Sequence, residues 1–195
     1  ILDLDSLEWA HHIGLDKGGA PISWRKEKYE LVDSGEVVMY LGVAQISFTR
    51  KVVWVLLRHL RTGELVAVVN AHFVAGAFKD GKLFPRIRRA LWKRCRKVLL
   101  AKVVEFTNAG IATIVAGDFN RRDFRVLGRI IETVGGVNRF VQYPVPSNEI
   151  DQIMLISGKE LVFAKWYYER KGGRYSDHQG QSVSTTIKKR EKSNA

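Results

Sequence analysis

From Pro21 to Phe73 short apolar runs alternate with charged or glycine-bearing turns, a pattern that predicts strands. Ile22-Ser23-Trp24 precedes the charged stretch Lys26 to Lys28, and Tyr29 to Val32 precedes the turn-forming Asp33-Ser34-Gly35. Val37 to Phe48 and Val52 to Leu57 are rich in the β-branched and aromatic residues that suit a pleated sheet, and are predicted to be adjacent strands of it. Arg61-Thr62-Gly63 then turns the chain into Leu65 to Phe73. The first part of that run, Leu65-Val66-Ala67-Val68-Val69, is apolar without alternation and predicts a strand buried on both faces. Upstream, residues 1–20 predict a short helix and a loop. His11 and His12 are adjacent and cannot share a helix face, so they are expected to be exposed surface histidines.

From Phe84 the period changes. Ile87, Leu91, Cys95, Leu99, Val103 and Phe106 recur every three or four positions, which predicts an amphipathic helix with Pro85 in its first turn. Asn108 and Gly110 end it and lead into a short buried strand, Ala112 to Ala116, after which the chain turns polar at Asp118 and Asn120. Phe124, Leu127, Ile131 and Val134 predict a second helix that Gly135 and Gly136 stop. Ile150 to Ile156, Leu161 to Tyr168 and Val183 to Ile187 predict further strands, and residues 188–195 a frayed basic tail. Apolar strands mixed with amphipathic helices, without the regular repeat of a barrel, predict an α/β sandwich of two mixed β-sheets flanked by helices, in a single domain over residues 1–187.

Composition adds a partner to this picture. The chain has 195 residues, 46% of them hydrophobic, enough for one domain with its own core. Its 32 Lys and Arg against 20 Asp and Glu leave a net charge of +12, a field that favours polyanions, nucleic acid first and acidic membrane surfaces second. On the predicted first helix Arg86, Arg89, Lys93, Arg96 and Lys97, with Arg88 and Arg94, make a dense positive surface suited to phosphate backbones. The single cysteine, Cys95, excludes an intrachain disulfide and a thiolate metal cluster. No apolar run approaches the roughly 20 residues that span a bilayer, and residues 1–15 lack a signal peptide's charged start and apolar centre. A monomer without a membrane span, in the cytoplasm, is the expectation.

Candidate chemistry gathers at strand ends and in the loops after strands. His72 ends one apolar run, and a histidine there is a candidate acid, base or phosphate donor. Asp118 and Asn120, followed by Arg121 and Arg122, could together hold a water, a phosphate oxygen and a divalent cation, where the alternative is an ordinary turn. Asp151 begins a strand, and Asp177 and His178 follow Gly172-Gly173.

With Asn70-Ala71-His72, Gly117-Asp118-Phe119-Asn120, Ile150-Asp151-Gln152 and Ser176-Asp177-His178 in this order, the chain resembles the endonuclease/exonuclease/phosphatase superfamily. These are metal-dependent phosphoesterases that include pancreatic-type deoxyribonuclease and the abasic-site endonucleases. The resemblance implies His178 as the catalytic imidazole, its ring held by Asp151, and His72 as a donor to a phosphate oxygen. It implies Asp118 as the group that orients or deprotonates the attacking water, Asn120 as a phosphate ligand, and Asp177, with Asp118, near the metal. Mg²⁺ is the implied ion, with Mn²⁺ as the alternative. The family's first strand carries an Asn and then a metal-binding Glu. Neither is recognisable here, so the expectation is that the chain lacks that strand. The implied function is hydrolysis of nucleic acid by a divalent-metal-dependent phosphodiesterase. Hydrolysis of a phosphorylated lipid or inositol, and a catalytically silent nucleic-acid-binding module, are the other readings.

Overall fold

The structure, a computed structural model, describes residues 8–12, 21–121, 140–142, 150–156, 161–171 and 180–189. For 140–142, for 161–171 and for 180–189 apart from Thr186 it describes the backbone alone. Along the chain run β1 (Trp9–His12), β2 (Ile22–Arg25), β3 (Tyr29–Tyr40), β4 (Arg50–His59), β5 (Leu65–His72), α1 (Pro85–Asn108), β6 (Ala112–Asp118), β7 (Phe140–Gln142), β8 (Asp151–Ile156), β9 (Leu161–Lys171) and β10 (Gly180–Lys189). Six of the strands form a mixed sheet in the order β3-β4-β5-β6-β8-β7. Its one parallel pair is β5 with β6, and α1 is the crossover between them. The remaining strands pair antiparallel as β1-β2 and β9-β10.

Side-chain alternation divides the sheet's two faces between two cores. Ala67, Val69 and Ala71 of β5, Val115 of β6 and Met154 and Ile156 of β8 pack under Trp92, Cys95, Leu99, Val103 and Phe106 of α1. On the other face Val53, Val55, Leu57, Val66, Ala112 and Leu155 pack against Ile22 and Trp24 of β2. Thr186 of β10 borders a cavity on this second face, so both small sheets lie over it. The α/β sandwich is therefore present, and its second layer is built from two antiparallel pairs.

Several local expectations are corrected. Trp9–His12 is a strand, not a helix, paired with β2 in a register that sets His11 opposite Ser23, and His11 Nδ1 lies 2.9 Å from Ser23 Oγ. His11 and His12 are accordingly half-buried, and His12 Nε2 has no hydrogen-bond partner. Asp33-Ser34-Gly35 lies inside β3, where the register shifts between Leu31 and Asp33. Gly35 serves packing there: a Cβ would come within 2.8 Å of Trp54 Cζ2. The run Val37 to Phe48 stops as strand at Tyr40, and the loop after it is closed by the bridge between Val43 and Ser47. Phe140–Gln142 pairs with β8 although no run had marked it, and β10 continues through Lys189 into what was expected as tail. The expected second helix, Phe124 to Val134, lies outside the described residues, as do residues 190–195.

Candidate active site

His72 ends β5, Asp118 ends β6 and Asp151 begins β8. Strand register sets His72 opposite Asp118 and Asp118 opposite Asp151, so the three stand in one row across neighbouring strands. Alternation places them on the face of Val66, Ala112 and Leu155, away from α1. His72 Nε2 lies 3.5 Å from Asp118 Oδ2, close enough for an ion pair and long for a hydrogen bond. The Asp118 side chain is 13% exposed and that of His72 39%, so the pair opens to solvent on the histidine side.

Asn120 is tied to this row by its own backbone. Its N–H donates to Asp118 Oδ1 at 2.7 Å, and its Nδ2 donates to the Phe73 carbonyl at 3.0 Å. A left-handed backbone, with φ of 51°, makes the tight return possible, and asparagine tolerates it better than most residues. Backbone bonds from Phe73 N to Asp118 O at 2.8 Å and from Phe119 N to Ile150 O at 3.0 Å extend the ladder past the strand ends. Gly117 allows β6 to approach β5: at its φ of 148° a Cβ would sit 1.9 Å from the Ala71 carbonyl oxygen.

On the opposite face the same chain ends are braced by α1. Trp92 Nε1 donates to the Phe119 carbonyl at 2.8 Å, and the Phe73 ring meets both Trp92 and Phe119 edge-on, at 5.5 and 5.2 Å between centroids. Arg88 is buried, with Nε donating to Leu83 O at 2.8 Å and Nη1 to Ala75 O at 2.9 Å. It thus closes the loop before the helix and does not belong to the outward positive surface expected of it. Ile87, expected on the core face, is 45% exposed, because Arg88 and Trp92 take the buried stripe in the first turns. Burial pushes the Cys95 thiol up to about 12 and leaves it protonated.

The cationic residues of α1 divide. Arg86, Lys93 and Lys97 are exposed, and at about 100° per residue they share one outward stripe. Arg89 is exposed but donates through Nε to Ala77 O at 3.2 Å, and Arg96 is half-buried. Arg121, which follows Asn120, lies with its guanidinium 4.2 Å from the Phe78 ring centroid and 5.4 Å from that of Trp92, on the α1 side of the sheet. Asp177 and His178 lie outside the described residues. The structure thus brings His72, Asp118, Asn120 and Asp151 to one sheet edge. Sequence reasoning passed over Gly117, Arg88 and Trp92 as supports. The tryptophan was the available signal, since so large an apolar residue on a cationic helix marks the buried side.

No family model matches the sequence, and no curated protein does. Solved structures do. An endonuclease/exonuclease/phosphatase from Bacteroides vulgatus superposes with a TM-score of 0.64 at 19% identity, covering 94% of this chain and 77% of that one. The chain has the endonuclease/exonuclease/phosphatase fold. Two further structures with this fold are D. rerio TDP2 complexed with a single-strand DNA product (TM-score 0.61, 17% identity, 93% of this chain and 77% of that) and a Bacteroides thetaiotaomicron mannosyl-6-phosphatase (0.60, 15%, 92% and 78%). Among the described residues no three His, Cys, Asp or Glu side chains gather as a metal site. The donors at the middle of the row are nevertheless hard: the Asp118 carboxylate and the carboxamide of Asn120, whose N–H is bonded to it. Mg²⁺ is commonly held by one or two carboxylates, with phosphate oxygens and waters completing its shell, so this donor set fits that ion.

Proposed function

We propose that this protein is a divalent-metal-dependent phosphodiesterase that hydrolyses nucleic acid. The observation that carries this reading is the in-register row His72, Asp118 and Asp151, with Asn120 folded back onto Asp118. In it, His72 donates from Nε2 to a non-bridging phosphate oxygen and offsets the charge that builds in the transition state. Asp118, whose Oδ1 is already held by the Asn120 N–H, keeps its other lone pairs for the attacking water, which it orients and deprotonates. Asn120 binds the phosphate. Asp151 at the end of the row would hold the ring of His178, the proposed catalytic imidazole. Mg²⁺ or Mn²⁺, held by Asp118 with Asp177, would neutralise charge on the phosphoryl group.

A polynucleotide substrate is supported by the net charge of +12 and by the exposed stripe Arg86, Lys93 and Lys97 on the helix that braces the site. Arg121, next in sequence to Asn120, would add a phosphate contact of its own. Arg89 and Arg96 flank the stripe and would add phosphate contacts through the parts of their side chains that reach solvent. The test is cleavage of labelled duplex DNA, single-stranded DNA and RNA beside a soluble inositol phosphate and a sugar phosphate. Polynucleotide turnover should need divalent metal, stop with EDTA, and fall about 10²–10⁴-fold in His72→Ala and in Asp118→Ala while the melting temperature holds. Turnover of the small esters alone would replace the nuclease by a phosphatase. Salt-sensitive polynucleotide binding without any turnover would leave the silent binding module.

A further inference from the structure

At the opposite end of the central strands, on the same face as His72 and Asp118, the sheets part around a cavity of about 510 Å³. Val66 and Val68 at the start of β5 line it, while His72 ends that strand. At about 3.3 Å per residue Val68 and Val66 lie roughly 13 and 20 Å from His72, and none of His72, Asp118, Asn120 and Asp151 lines the cavity, so it is separate from the candidate active site.

Its chemistry is sorted by depth. The floor is apolar, made by Leu57, Val66, Val68 and Ile114. Among the described residues four flat rings stand around it: Trp9, Trp24, Tyr29 and His59. They are fixed in place, for Trp24 is 7% exposed and the Tyr29 and His59 rings meet edge-on with centroids 5.2 Å apart. His59 Nδ1 lies 3.1 Å from Thr62 Oγ1, and Arg25 covers Trp9 at 5.1 Å. Outside the rings come cations. Arg25 is paired with Glu27 at 3.3 Å, whereas Lys28 and Arg61, both exposed, make no ion pair among the described residues. The one acid on the lining among the described residues, Glu64, accepts the Thr62 hydroxyl at 3.0 Å.

A ligand complementary to this arrangement has a planar ring for the aromatic walls, hydroxyls for Thr62 and Glu64, and an anion for Lys28 and Arg61. The volume lies within the roughly 300–1,000 Å³ of small-molecule sites. We infer that this cavity binds a nucleoside monophosphate, its base among Trp9, Trp24 and Tyr29 and its phosphate at Lys28 and Arg61. The site is separate from the one that carries the proposed hydrolysis and does not depend on that reading.

Two of the chain's five tryptophans, Trp9 and Trp24, line the cavity, so their emission reports occupancy. The whole chain is titrated in EDTA with AMP, with adenosine and with inorganic phosphate. AMP should quench the emission saturably and bind about tenfold or more tighter than either fragment. Joint Lys28→Ala and Arg61→Ala replacement, at two exposed positions, should weaken AMP by about tenfold or more and leave adenosine and the melting temperature unchanged. Asn120→Ala should bind AMP as the unchanged protein does. The inference is overturned if AMP gives no saturable quench, if adenosine binds as well as AMP, or if the double variant keeps full affinity. Loss of AMP binding in Asn120→Ala would overturn it too, because the nucleotide would then sit in the candidate active site.

Discussion

The two faces of the central sheet carry the same strand ends to different purposes. Toward α1, Phe73, Phe119 and Trp92 make a dry aromatic contact closed by the bond from Trp92 Nε1 to the Phe119 carbonyl. Toward the small sheets, one residue away along the same strands, His72 and Asp118 stand apart at 3.5 Å with the histidine open to solvent. A close-packed aromatic contact admits little displacement, whereas a polar pair 3.5 Å apart that reaches solvent is not confined in this way. One face can therefore hold the backbone in place while the other presents His72 to solvent beside Asp118. The pleat is what makes this division possible at a single strand end.

The comparison breaks most completely at Gly117, which both faces share. Gly117→Ala places a Cβ against the Ala71 carbonyl and forces a residue with a side chain to a φ of 148°. Stability should fall by about 3 kcal/mol or more, and the displaced row His72, Asp118 should lose about 10²-fold in turnover besides, read by urea melts and by kcat/KM together. Full activity in a stably folded Gly117→Ala would mean that the close approach of β6 to β5 has no part in the site.

Trp92→Ala should separate the faces less sharply. It opens a cavity under Phe73 and leaves the Phe119 carbonyl without its donor, so about 3–5 kcal/mol of stability should be lost, with turnover following only through the looser Asn120 loop. Trp92→Phe keeps most of the packing and should isolate the hydrogen bond at about 1–3 kcal/mol.

Smaller still is the effect expected on the outside of α1. Reversing Arg86, Lys93 and Lys97 to Glu should leave the melting temperature nearly unchanged and reduce the salt slope of polynucleotide binding by about 0.9 for each phosphate contact removed. Arg88→Ala, by contrast, should destabilise, since its guanidinium serves the backbone carbonyls of Leu83 and Ala75. Matching effects of the two sets would erase the distinction between structural and substrate-facing cations.

The smallest effect belongs to Cys95. With its thiol pushed up to about 12, it should resist a thiol reagent in the native protein at neutral pH and react once the chain is unfolded in urea. Because the folded state binds this proton more tightly than the unfolded chain, its contribution to stability is complete below about pH 8.5 and is lost as the pH rises toward 12. Ready labelling of the native protein would place α1 elsewhere than on the sheet.

Much of the architecture was legible because burial writes itself into period. Leu65 to Val69 reads as a strand buried on both faces, and Leu91, Cys95, Leu99, Val103 and Phe106 mark the helix stripe that the core covers. Legibility failed where one residue's role depends on a distant partner. Asp33-Ser34-Gly35 reads as a turn until Trp54 is laid against Gly35, and Arg88 reads as surface charge until Leu83 and Ala75 turn their carbonyls toward it. Residues 9–12 read as helix because nothing local shows that β2 waits to pair with them.

By itself the sequence determined the residue types available for chemistry, the positive charge, the inner strands and the main helix, since these follow from side-chain chemistry and from local periodicity. Only the tertiary structure decided that His72, Asp118 and Asp151 share one row, because that depends on a parallel register of β5 with β6 and an antiparallel one of β6 with β8. A slip of one residue in either pairing would turn a carboxylate toward Trp92 and the core. Register is a property of the assembled sheet, set by which apolar faces meet, and no stretch of chain specifies it alone.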